Sequence, residues 1–150
     1  MPTTLTSTNS RTVTSIIGTD VASAAAGPRS IWRPGVVAGL AAAAVATLIA
    51  VAAGAADIPV AVGGETIPLM GFGQFTFVGA LLGIGLAKCV TKRASHAGRT
   101  FARATVVLTA VSIVPDALAD ATTATKVVLA LTHVAAAAII IPVLSHRLAD

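Results

Sequence analysis

Four long apolar stretches, at residues 35–56, 69–90, 101–120 and 126–144, leave this chain few folds to choose from. As a helix at about 1.5 Å per residue, each is of the length that crosses the ~30 Å hydrocarbon core of a bilayer. Only 11% of the 150 residues are charged and 55% are apolar, with a mean hydropathy of +0.90. A water-soluble domain, in which about a quarter of residues are charged, needs far more polar surface to cover itself. Hydrocarbon as the solvent removes that difficulty. The expected fold is all-α, an integral membrane bundle of four transmembrane helices over residues 31–150, preceded by a disordered cytoplasmic tail over residues 1–30. That tail is rich in Ser, Thr and Ala and lacks an apolar run long enough for a span or a signal-peptide core. An organellar transit peptide shares its bias but usually carries more Arg.

Four spans put both termini on one side, and the basic residues say which. Arg11, Arg29, Arg33, Lys88, Lys92, Arg93, Arg99, Arg103 and Arg147 fall on the side of the termini. Lys126 stands on the other, with Asp57, Glu65, Asp116 and Asp120. Such asymmetry marks the cytoplasmic face, so N and C termini are expected inside a bacterial plasma membrane. Trp32, Arg33, Lys88, Lys92, Arg93, Arg99 and Arg103 are the expected interface anchors. The net charge of +4 is thus explained by topology. A basic loop without interleaved aromatics gives no ground for nucleic acid as a partner.

The first span carries a stripe of small residues, Gly35, Gly39, Ala43, Ala46, Ala50 and Gly54, which lets another helix approach closely. The segment between the first two spans, DIPVAVGGETIP, reads as an irregular loop or as a short β-hairpin. In the hairpin, Val60 and Val62 precede a Gly63–Gly64 turn and Thr66 and Ile67 follow it. In the second span Gly79 and Gly83 have GxxxG spacing, a weak sign of packing. The single cysteine, Cys89, excludes an intramolecular disulfide. It reads as a small apolar residue near a helix end, or as a lipidation site.

The third span is the most informative. At about 100° per residue, Thr105, Thr109, Ser112, Asp116 and Asp120 fall within an arc of roughly 80° on an otherwise apolar helix. In the fourth span His133 is ionisable within the membrane, by default a functional candidate and otherwise a neutral imidazole hydrogen-bonded to a neighbouring helix. Thr109, Ser112, Asp116, Asp120 and His133 therefore form the candidate intramembrane polar cluster. Along the helix axes, Ser112 is roughly 12 Å below Asp120 and His133 about as deep below Lys126, whereas Asp116 is only about 6 Å below Asp120. The expected partner of His133 is therefore Ser112, Thr109 or the carbonyl near Val111 that Pro115 leaves unpaired, not Asp116. Asp116 and Asp120, with Lys126, read either as an outer mouth for a cation or proton or as solvated acids at a helix end.

Several segments together resemble an uncharacterised bacterial family of four-span membrane proteins (domain of unknown function 6069). They are Trp32-Arg33, Ile67-Pro68-Leu69, Arg99-Thr100-Phe101, the run LTAVSIVPD ending at Asp116, Ala124-Thr125, His133 followed by alanines, and Ile141-Pro142. The resemblance covers roughly residues 31–148. It implies a bacterial plasma-membrane protein and lends weight to His133 and the VPD corner without naming a role.

No HExxH, phosphate loop or catalytic triad in motif context is present, and no cofactor or metal site is expected. Quinone-linked thiol oxidoreductases need paired cysteines, and small multidrug exporters an acidic residue in their first span. Both features are lacking. The expected function is non-enzymatic, a structural or accessory membrane component packing with itself or another membrane protein. The alternatives are a small oligomeric transporter or channel using the polar seam and His133, and an intramembrane enzyme. Two arrangements separate the first two. A seam closed by the small-residue face of the first span belongs to packing, and a seam lining a water-filled groove that reaches His133 from outside belongs to transport.

Overall fold

A computed structural model of the chain describes residues 30–149, so the tail expected at residues 1–30 lies, but for Ser30, outside the described residues. Four helices follow: α1 (Trp32–Ala55), α2 (Leu69–Thr91), α3 (Ala97–Leu118) and α4 (Thr123–Ala149). All four are long and apolar enough to cross a membrane. Their outward faces carry Val37, Leu48, Val78, Val107 and Val134, all exposed. In water that surface would be a large aggregation liability. Against lipid it is the expected coat.

The helix limits depart from the expected spans in ways that matter. α3 begins at Ala97, four residues before the expected start at 101, so Arg99 and Arg103 sit on its first two turns and not in a loop. Its N-terminal end approaches α4 so closely that a Cβ on Gly98 would stand 2.7 Å from the Ser145 carbonyl oxygen. α3 also ends at Leu118, with Ala119 extended, so Asp120 has left the helix. α4 starts at Thr123 and runs through Pro142 to Ala149, beyond the expected limits of 126 and 144.

α1 packs closely against α2 and α4, and α3 packs closely against α4, whereas α2 and α3 touch only sparsely. The close contacts follow from small side chains. Gly35, Ala38, Gly39, Ala42, Ala46, Ala50 and Ala53 form the buried face of α1. A Cβ on Gly39 would lie 2.8 Å from Cβ of Ala80, and one on Gly35 2.7 Å from Cγ1 of Ile84. Four of the six expected stripe positions are thus buried, while Ala43 is half-buried and Gly54 exposed. Two apolar clusters pin the ends of the bundle. The one toward the termini gathers Ala42, Ala80, Ile84, Ala87, Phe101, Ile140 and Leu144 around the fully buried Phe101 ring. The other joins Ala50, Ala53, Val60, Phe72 and Val128.

The loop between α1 and α2 is the hairpin alternative. Strands β1 (Ala61–Val62) and β2 (Glu65–Thr66) pair antiparallel, Val62 opposite Glu65. Gly63 and Gly64 take φ of +61° and +83°, as a two-residue turn that matches strand twist requires. The hairpin is held down on the α3–α4 turn. Gly63 N–H donates to the Asp120 carbonyl at 2.8 Å, and the buried Thr125 hydroxyl donates to the Pro59 carbonyl at 2.6 Å. At the opposite end the Lys88 ammonium sits 5.1 Å from the centroid of the Trp32 ring, a cation–π contact between two of the expected anchors. Cys89, exposed next to it, accepts a long contact from the Arg93 guanidinium at 3.5 Å.

Candidate functional site

Because α2 and α3 stand apart, a groove of about 800 Å³ opens between them, with α4 as its floor. On α2 it reaches from Gly71 to Leu86, about 22 Å at 1.5 Å per residue, most of a bilayer's hydrocarbon depth. The α2 wall is mostly apolar, with Phe72, Phe75, Gly79 and Gly83, and carries one hydroxyl, that of Thr76. Gly79 and Gly83, whose GxxxG spacing pointed weakly to packing, meet nothing within 4 Å of a built Cβ. They widen the groove and do not seat a helix within this chain.

The α3 wall is the polar seam. Thr105, Thr109, Ser112 and Asp116 all line the groove. Its hydroxyls are tied back to their own helix, as Ser and Thr in apolar surroundings commonly are. Thr105 donates to the Phe101 carbonyl at 2.7 Å, Thr109 to Thr105 at 2.8 Å, and Ser112 to Thr109 at 2.7 Å. The small-residue face of α1, which packing would have required over the seam, covers α2 and α4 instead.

From the floor, Nδ1 of His133 comes within 3.0 Å of Oδ2 of Asp116. This corrects the expectation that Ser112, Thr109 or the carbonyl near Val111 would be the partner. The axial offset was reckoned between backbones, but side chains lean toward the N-terminus of their own helix. α3 and α4 run in opposite directions, so the Asp116 and His133 side chains lean toward each other and close the gap.

Nδ1 of His133 also lies 3.1 Å from the Leu129 carbonyl oxygen. A carbonyl only accepts, so Nδ1 carries the hydrogen in this arrangement. The ring N–H aligns with Leu129, although that oxygen also takes the Thr132 hydroxyl at 2.7 Å. Oδ2 of Asp116 is buried without an aligned hydrogen bond. The 3.0 Å approach is thus a close charge contact with off-line geometry, and the carboxylate keeps unmet acceptor capacity. His133 retains 38% of its side-chain surface and Asp116 17%, so the imidazole is the more accessible of the two.

Asp120 does not join this cluster. It lies past the end of α3, in a shallow depression with Pro59, Ala61, Gly64, Ala121 and Thr122. Lys126 does not complete an outer mouth either. Its ammonium donates to the Ala117 carbonyl at 2.9 Å, which satisfies an unpaired acceptor at the C-terminus of α3. Sequence reasoning missed Thr132, which is buried, lines the groove beside His133 and shares its carbonyl. A hydroxyl next to the ionisable residue in the middle of that span was the available signal.

No curated protein and no solved structure matches the chain. A sequence family does, over residues 25–150, and takes in all four helices, the hairpin, the groove and the Asp116–His133 pair. The chain belongs to this family of unknown function (DUF6069), and it is a multi-pass membrane protein.

Proposed function

We propose that the protein is a small transporter or channel of the bacterial plasma membrane, non-enzymatic, with both termini cytoplasmic, in which the groove is the path and Asp116–His133 its proton-exchanging point. The observation that carries this reading is that the seam of α3 faces an open groove with an ionisable pair in its wall. A carboxylate that faces the groove beside an imidazole favours a path over a purely structural or accessory component, the role expected from sequence. Asp116 stands two residues before the end of α3, shallow enough to avoid much of the about 2.5–3.5 kcal/mol that a charge costs at mid-membrane. The orientation rests on Lys88, Lys92, Arg93, Arg99 and Arg103 gathering where α2 ends and α3 begins. The surrounding bilayer, and a second copy or another membrane protein against the exposed face of α2, complete the walls.

The test is flux. Purified protein in liposomes with an entrapped pH-sensitive dye is expected to pass protons after an external pH step, faster than empty liposomes. His133→Ala is expected to bring the rate down to that of empty liposomes. Wild-type protein that gives no flux above empty liposomes, or a flux untouched by His133→Ala, returns the protein to an accessory role.

A further inference from the structure

The α3 wall shows the groove a set of acceptors and no donors. A hydroxyl has one hydrogen, and those of Thr105, Thr109 and Ser112 are all given to carbonyls of their own helix. What they turn outward is oxygen lone pairs. The line ends at Asp116, whose Oδ2 is buried without an aligned donor. From Thr105 to Asp116 this acceptor track runs about 16 Å along the helix. The facing wall, with Phe72, Phe75 and Gly83, is apolar but for the Thr76 hydroxyl.

Resting on the reading of the groove as a ligand path, we propose that its ligand is an amphipathic organic cation, an ammonium on an apolar body. The head sits at Asp116 and the body lies against α2. An anion would meet lone pairs and a carboxylate along the whole of α3. A neutral hydrocarbon would desolvate those oxygens without answering them. A bare metal ion lacks its usual ligands, because no group of three or more His, Cys, Asp or Glu side chains comes together among the described residues. The volume of about 800 Å³ is that of a site for a molecule of drug size.

Protonation of His133 competes with such a ligand. Imidazolium at 3.0 Å neutralises Asp116, so cation binding weakens as the pH falls. Among the described residues no other charged group lines the groove. α2 contributes none, Lys126 is turned to Ala117, and Asp120 lies beyond the end of α3.

The probe is dansylcadaverine, a primary ammonium on a fluorescent apolar body, titrated against the protein in lipid nanodiscs with empty nanodiscs subtracted. Its N-acetyl derivative has the same body without the charge. Dansylcadaverine is expected to bind saturably. Asp116→Asn is expected to weaken it about 10- to 100-fold, the scale of one charge-assisted hydrogen bond, and N-acetylation to weaken it on wild type by a similar factor. Equal binding of the two probes, or binding indifferent to Asp116→Asn, overturns the proposal. Should Asp116→Asn not yield folded protein, the two probes on wild type decide alone. Gly83→Phe, which fills open space in the groove, separates the two levels of failure. If it blocks both probes while neither responds to charge, the groove binds ligands but is not selective for cations. If it blocks neither, the groove reading itself has failed.

Discussion

The Asp116 carboxylate and the His133 imidazole meet at 3.0 Å although they belong to different depths of the bundle as measured along the helix axes. Neither side chain would reach the other from parallel helices. The contact depends on α3 and α4 running in opposite directions, with each Cα–Cβ bond tilted toward the N-terminus of its own helix. It also ties the open side of the molecule together, since the pair bridges the groove's polar wall and its floor.

Residues in such a contact should be energetically coupled. A double-mutant cycle with Asp116→Asn and His133→Gln, read by denaturant unfolding in micelles, is expected to give an interaction energy of about 0.5–3 kcal/mol. Strict additivity at neutral pH would mean that the two groups are neighbours without being partners.

The close face of α1 makes an opposite pair of predictions for two glycines. Gly39→Val forces a side chain into Cβ of Ala80, 2.8 Å from the built Cβ, and neither helix can yield without moving backbone. Its unfolding free energy should fall by about 1–3 kcal/mol, the usual cost of overpacking. Gly79→Val, where nothing lies within 4 Å, should leave stability unchanged or raise it slightly, since a helical glycine is replaced. Thermal unfolding of the two variants side by side checks this. Equal destabilisation would show that Gly79 is packed and the groove closed.

At the hairpin end of the bundle, the Thr125 hydroxyl is fully buried and holds the hairpin through the Pro59 carbonyl at 2.6 Å. Thr125→Val keeps the shape and removes the donor, leaving a carbonyl unmet at a cost of about 1–3 kcal/mol. Limited proteolysis should then cut the segment around Gly63–Gly64 faster than in wild type. An unchanged cleavage rate would mean that the Gly63 to Asp120 bond suffices to hold the hairpin.

Much of this architecture is legible without coordinates because hydrocarbon allows so few solutions. An apolar run must be a helix, since no water is there to satisfy an exposed backbone. A Gly-Gly pair between short β-rich runs has one favoured turn, and the stripe on α1 announces close approach. What stayed hidden is relational. Periodicity placed Asp120 on the seam because it counts residues and does not see a helix end at Leu118. Axial depth separated Asp116 from His133 because it ignores the lean of side chains. Gly35 and Gly39 of α1 and the pair at Gly79 and Gly83 look alike in sequence, yet the first two are met by neighbours and the others face open space. Only the arrangement of all four helices tells them apart.

The reading as a whole stands on the seam being open to the outer side, and cysteine accessibility addresses that directly. In a Cys89→Ser background, Ser112→Cys on the groove wall and Ala42→Cys in the closed α1 face are each treated in intact spheroplasts with a small membrane-impermeant thiol reagent. The predicted result is modification at position 112, abolished by adding Gly83→Phe, and none at position 42. Protection of position 112 equal to that of position 42 would contradict it.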